Sequence, residues 1–305
     1  MKFTKLQGAG NDFLLVETED RGRGWPSLAK IVCDRHFGVG ADGLLLLSSS
    51  ETADFQMRIY NADGSEAEAC GNGIRCLAKY VLERGTIPVD RSKGEPVPGT
   101  RQLVVETIMG NRTVWIHQTD GGGTRIQFAM GVPIFTPGDI PVMLTPGDDK
   151  LVDIKTMSSY PVIVDGKELR LNFISMGNPH AVYFWQQPVA DFPLARIGPE
   201  VEYMSIFPKR TNFEIAQIIG RNLIDVVVWE RGVGETLACG TGACAVAVAA
   251  QLYGYVDRIV DVKLPGGILQ VEWDGVGEVL LSGSAEVVFT GEWPDTGEQQ
   301  ILRGE

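Results

Sequence analysis

The sequence is short of the groups that bind metals and polyanions. Its 305 residues include only three histidines, His36, His117 and His180. Its five cysteines show neither zinc-type pairing nor the Cys-x-x-Cys of a redox dithiol, which argues against both chemistries. Basic residues are in deficit, 27 Lys and Arg against 39 Asp and Glu for a net charge of −12, and they form no cluster. Nucleic acid and anionic membrane surfaces are thereby disfavoured as partners, and a small-molecule substrate is expected. No apolar run reaches the 18 or so residues of a membrane span. The stretch "MKFTKLQGAG" lacks the apolar core and small-residue cleavage site of a signal peptide. With an odd number of scattered cysteines, these absences point to a reducing compartment, the cytoplasm.

What the chain does have is glycine, 37 residues, well above the usual share of about 7%. Many tight turns and short strands follow. Hydrophobic residues at 44% and charged residues at 22% describe an ordinary globular protein, and the length favours two domains of about 150 residues. Strand patterns run through "FTKLQG", "DFLLVE", "GLLLLSSS", "FQMRIYNAD" and "QLVVETIMGNRTVWIHQT", and again through "IVDVKLPGGILQVEW" and "EVLLSGSAEVVF". "YPVIVDGKELRLNFI" predicts a hairpin turning at Asp165-Gly166, and "NFEIAQIIGRNLIDVVVWE" another near Gly220-Arg221-Asn222. Helices are expected over about 27–36, 72–84 and 240–252. In the second of these, Arg75, Lys79 and Glu83 mark the wetter face; the third, "ACAVAVAA", is apolar all round and should be buried on every side. The Pro- and Gly-rich "MGVPIFTPGDIPVMLTPGDDK" reads as the crossing segment, and "SKGEPVPGT" at 92–100 as a surface loop.

"EACGNGIRC" at 68–76 and "LACGTGACA" at 237–245 carry the same elbow twice, with Cys70 and Cys239 169 residues apart. The Gly-Asn turns at Asn11 and Asn178 repeat at nearly the same offset. Asn61 stands nine residues before Cys70, and Glu230 nine before Cys239. A duplicated domain accounts for all three coincidences. If the two elbows face a common cleft, the cysteines approach one ligand from opposite sides.

Each elbow combines a sharp glycine turn with a helix start, whose free N–H groups and dipole suit a carboxylate or phosphate. The same field should lower a cysteine there from its ordinary value near 8.5, giving more thiolate. Inverting a carbon requires a proton removed from one face and another delivered to the opposite face, which one thiolate and one thiol can do. A cysteine amidase or protease using a single Cys with His180 is the rival mechanism. A non-catalytic amino-acid binding protein would have no need of the thiols. Plain turns would also explain Asn11 and Asn178, an exposed turn charge Arg231, and a strand-end residue His180. Cys33, Cys76 and Cys244 read as small apolar packing residues.

In order and spacing, "GAGNDF", "GADG", "NADGSEAEACGNGIRC", "MGNPH", "WERGVGETLACGTGACA" and "LPGG" resemble the diaminopimelate epimerase family over about residues 1–290. The resemblance implies an α+β fold of two pseudo-symmetric lobes from a duplicated domain, each a mainly antiparallel sheet curled around a central helix. Residues 1–129 with 286–305 would form the first lobe and 130–285 the second. It further implies a cytoplasmic homodimer that uses no cofactor or metal and interconverts LL- and meso-diaminopimelate for lysine and peptidoglycan synthesis. A same-fold racemase or isomerase acting on another amino acid is the alternative. Carried over by position, Cys70 and Cys239 become the acid/base pair. Gly71, Asn72, Gly240 and Thr241 become the backbone donors at the reacting carboxylate. Asn11, Asn61, Asn178, Asn212, Glu230 and Arg231 would hold the distal amino-acid centre, with His180 supporting. Some members carry glutamine where this chain has Gly43.

Overall fold

The computed structural model describes residues 1–20, 22–67, 71–85, 100–118, 123–144 and 159–294. Cys70, nearly all of the expected 92–100 loop, the end of the crossing segment and the tail from 295 lie outside the described residues. The chain divides into two compact units, Met1–Phe128 with Gly283–Glu305, and Ala129–Ser282.

In the first unit the strands are β1 (Lys2–Gly8), β2 (Asn11–Glu17), β3 (Gly43–Ser48), β4 (Phe55–Asn61), β5 (Thr100–Thr107), β6 (Gly110–Gln118) and β7 (Thr124–Ala129), with helices α1 (Trp25–Val32) and α2 (Gly71–Arg84). The chain end returns as β17 (Glu286–Glu292) beside β1. From β17 the ladder runs through β1, β2, β3, β4, β5, β6 and β7. Its contacts are antiparallel except for the parallel pairs β2–β3 and β4–β5.

The second unit contains β8 (Tyr160–Val164), β9 (Lys167–Ser175), β10 (Pro179–Phe184), β11 (Asn212–Gly220), β12 (Leu223–Glu230), β13 (Gly234–Thr236), β14 (Ile259–Leu264), β15 (Gly267–Glu272) and β16 (Leu280–Gly283). Its helices are α3 (Leu194–Glu202) and α4 (Gly240–Leu252). From β8 the ladder passes through β9, β10, β11, β12, β14 and β15 to β16, with parallel pairs at β10–β11 and β12–β14. Strand for strand, the sequence of antiparallel and parallel contacts is that of the first unit. The repeat seen in the motifs is therefore a repeat of topology.

Each sheet curls because it has a helix to enclose. Helix α4 packs against β9, β10, β11, β12, β14 and β15, and every residue from Gly242 to Ala250 is buried. Alanine favours the helix and lets strands come close on all sides, so an all-apolar helix needs a sheet around it rather than beneath it. Helix α2 packs similarly against β1, β2, β3, β4 and β17. Its face differs from the sequence expectation: Lys79 and Glu83 reach solvent, but Arg75 is fully buried. The guanidinium finds acceptors inside, Asn72 Oδ1 at 2.7 Å and the Ser284 carbonyl at 3.2 Å, and these satisfy a charge that would otherwise oppose burial.

Other local expectations met tertiary detail. The Asp165-Gly166 turn has φ of 49° and 71°, the double positive geometry of a two-residue hairpin. Helix α1 starts with Trp25 and Pro26 and ends at Val32, not 36, because the Asp34 carboxylate accepts from the N–H groups of His36 and Phe37 and sets up a turn. The described part of the crossing segment is not merely a connector. Ile140 and Val142 are buried in the second unit's core with Phe173, Phe192 and Phe213.

Helix α3 was not foreseen, since Gly198 and Pro199 inside "LARIGPEVE" hide its period. The glycine is there for space: a Cβ at Gly198 would stand 2.6 Å from the Trp229 ring. Gly198→Ala is expected to destabilise the protein by about 1–3 kcal/mol through overpacking, read as a lower urea midpoint at unchanged slope.

Candidate active site

In the second unit the ends of β10, β11 and β12 and the start of α4 carry the predicted residues. Cys239 is the N-cap of α4 (φ −121°, ψ 115°); its Sγ accepts from the Gly242 N–H at 3.4 Å and lies 3.3 Å from the Thr241 hydroxyl. Gly240 and Thr241 open the helix, so their N–H groups belong to the first turn, which has no intrahelical acceptors. Gly242 must lack a side chain, because a Cβ there would meet Glu214 Oε1 at 2.8 Å.

Asn212, buried at the start of β11, clamps two neighbouring segments. Its amide nitrogen donates to the Pro179 carbonyl and its oxygen accepts the Arg231 N–H, both at 2.9 Å. The Arg231 side chain donates to the Lys209 carbonyl at 3.2 Å. Glu230, at the end of β12, accepts from the Thr236 hydroxyl. His180 places Nδ1 2.7 Å from Glu214 Oε1 and Nε2 2.9 Å from Asn178 Oδ1. With both ring nitrogens engaged in this way, His180 is not arranged as the partner base of a cysteine hydrolase.

Electrostatics overturn one expectation. Burial pushes the Cys239 thiol well above its ordinary value, and the Glu230 and Glu214 carboxylates push the same way. The Thr241 hydroxyl and the Gly242 N–H pull downward but do not compensate. The helix start that should favour a thiolate thus holds a thiol. Glu230 is also raised, by burial against the Thr236 hydrogen bond and with Glu214 adding to it. Two neighbouring buried acids resist ionising together.

In the first unit, Gly71 and Asn72 open α2, Asn11 begins β2 and Asn61 ends β4. Four side chains here form a directed chain of three hydrogen bonds. Arg75 Nη2 donates to Asn72 Oδ1, Asn72 Nδ2 to Asn11 Oδ1 at 3.1 Å, and Asn11 Nδ2 to Asp42 Oδ2 at 2.7 Å. A guanidinium only donates and a carboxylate only accepts, so the two ends set the orientation of both amides between them. Arg35 pairs with Asp42 at 2.8 Å and with Asp12 at 2.7 Å. Burial opposes the Asp12 charge, yet hydrogen bonds from Arg35 and Lys5 and the contact with Asp42 outweigh it and bring its pKa down to about 2. Asn61 stands apart from this chain: its amide donates to Ser65 Oγ at 2.9 Å, within its own turn.

Sequence reasoning passed over Arg75, Asp42 and Glu214. Only "GADG" offered a signal, for Asp42. Arg75 looked like a surface charge, and Glu214 is one acidic residue in an alternating strand.

The fold is that of known racemases, epimerases and their relatives. A phenazine biosynthesis protein of the PhzF family from Bacillus anthracis matches at a TM-score of 0.67, with 17% identity over 96% of this chain and 99% of that one. A hydroxyproline epimerase from Agrobacterium vitis matches at 0.64, with 13% identity over 95% and 91%. Sequence narrows the class. The family model for diaminopimelate epimerase matches residues 3–136 and 172–288. The diaminopimelate epimerase of Acetivibrio thermocellus is 45% identical over 294 residues, 96% of this chain and 98% of that protein. That of Methanococcus maripaludis is 41% identical over 299 residues, 96% and 99%. The chain belongs to the diaminopimelate epimerase family, and with it to the isomerases.

Alkylation of Cys239 by iodoacetamide, followed by peptide mass spectrometry, is expected to stay slow through neutral pH and to begin only above the ordinary thiol range. Glu230→Gln removes one of the carboxylates that oppose the thiolate, so the onset should move to lower pH. Rapid labelling of the wild-type residue at pH 7 would contradict the protonated state.

Proposed function

We propose that the chain interconverts LL- and meso-2,6-diaminopimelate by proton transfer between two cysteines, without pyridoxal phosphate or metal, in lysine and peptidoglycan precursor synthesis. The observation that carries this reading is Cys239, a buried thiol capping a helix start, in a chain of the diaminopimelate epimerase family.

The Cys70 thiolate removes the α-proton from one face while the Cys239 thiol delivers its proton to the other, and the roles exchange in the reverse direction. No net proton is consumed. The negative charge that develops as the C–H bond breaks spreads into the adjacent carboxylate. There the N–H groups of Gly71, Asn72, Gly240 and Thr241 stabilise it. Because Cys239 rests as the thiol, it is the acid of the first half-reaction to start from this state.

Arg231 pairs with the distal carboxylate and Glu230 with the distal ammonium, while Asn11, Asn61, Asn178 and Asn212 hydrogen-bond the zwitterion without adding net charge. Charging Glu230 is then coupled to substrate: a bound ammonium offsets the burial that disfavours its carboxylate. His180 supports the site through its neighbours. A cytoplasmic homodimer is part of the same proposal.

Incubation with LL-diaminopimelate in D2O should give meso product carrying deuterium at the α-carbon. Isomerisation with no solvent deuterium in the product would exclude proton exchange through the thiols. Cys70→Ala and Cys239→Ala should each lower turnover by a factor on the order of 10^2 to 10^4; a fully active variant of either would leave the two-base scheme untenable.

A further inference from the structure

Glu214 stands on β11, two residues beyond Asn212, and its side chain is fully buried against the first turn of α4. Oε1 is bonded to His180 Nδ1, while Oε2 is buried with no hydrogen-bond partner among the described residues. His180 is also fully buried. Its other nitrogen faces Asn178 Oδ1. The two acids Glu230 and Cys239 lie close enough for Glu214 to oppose the ionisation of both.

The hydrogen positions follow from charge. A Glu214 carboxylate beside a neutral ring with its proton on Nδ1 would bury a net negative charge, half of it on an oxygen without a donor. It would also leave a bare Nε2 facing an amide oxygen. One further proton on the pair removes both faults. It can be held as carboxylate with imidazolium, or as carboxylic acid with the Nε2–H form of a neutral ring. In either form Nε2–H donates to Asn178 Oδ1.

We propose that Glu214 is a positioning residue: it shares a proton with His180 Nδ1, which keeps His180 Nε2–H donating to Asn178 and turns the Asn178 amide N–H2 to the substrate as a donor. Asn178 then recognises an acceptor, a carboxylate oxygen of the amino acid, and not its ammonium. This last step rests on the function proposed above; the proton arrangement does not.

Two measurements separate them. The first uses the ligand-free wild-type protein labelled with 15N-histidine, in which only three rings contribute and His180 is assigned by comparison with His36→Gln and His117→Gln proteins. Nε2 of His180 should be protonated at neutral pH; a neutral ring with its proton on Nδ1 alone overturns the proposal whatever the enzyme's substrate. The second compares Glu214→Leu and Glu214→Gln. Leucine fills the buried space but leaves His180 Nδ1 without its partner, so the protein should fold with a lower melting temperature than the wild type. With the Asn178 amide no longer held, KM for diaminopimelate should rise about tenfold, the size of one hydrogen bond to a charged group, with kcat changed far less. Glutamine can place an amide N–H on Nδ1 and should restore most of the wild-type KM. A folded Glu214→Leu protein with wild-type KM also overturns the proposal, because a residue that only packs would behave in that way.

Discussion

A helix with no polar face cannot lie on a protein surface, and much of this architecture depends on that constraint. From Gly242 to Ala250, α4 offers only small apolar side chains, so water must be excluded around its whole circumference. A flat sheet covers one side of a helix; six strands from β9 to β15 that curl around it cover all of them. Enclosing the helix brings strand ends close to its first turn, whose N–H groups have no intrahelical partners. Residues at those strand ends, such as Asn212 and Glu230, acquire their neighbours from this geometry. The site is thus a by-product of how the helix is hidden, and its polar groups lie where the helix still needs partners.

The same logic operates in the first unit with different chemistry. Gly43 pairs with Phe13 on one side and Asn61 on the other; in the second unit Asn212 pairs with His180, and the next residue, Phe213, faces Trp229. The ladders correspond, but the side chains at matching positions do not. One unit has Gly and Asn where the other has Asn and Glu. A duplicated scaffold has kept its backbone pattern while each copy arranged its own polar set.

Legibility from sequence follows the range of the forces involved. The Asp165-Gly166 turn, the extent of α4 and the Cys239-Gly240 elbow could be read because a few adjacent residues determine them. The family resemblance rests on the same local motifs. Helix α3 escaped because its glycine answers to Trp229, a residue about thirty positions away. Arg75 was placed on the wrong face, since helical period records polarity but not whether a charge has buried acceptors waiting. The thiol state of Cys239 was inverted for the same reason. A helix N-terminus is visible in the sequence, whereas burial and the approach of Glu214 and Glu230 exist only in the fold.

That inversion bears on how a cysteine can serve as both acid and base. A thiol permanently ionised by its helix would be a ready base and a poor acid, and could return a proton only at a cost in rate. In the proposed mechanism, holding Cys239 as a thiol in the empty protein, chiefly by burial and then by the nearby Glu230 carboxylate, loads the proton that one direction of reaction must deliver. The Glu230 carboxylate must then be neutralised when the residue acts as base. In the proposed mechanism a substrate ammonium beside Glu230 supplies the positive charge, while the Glu214–His180 pair already holds its shared proton in the empty protein. On that proposal, reversibility depends less on the intrinsic acidity of the thiol than on how tightly Glu230 is tied to the ammonium that arrives with the substrate.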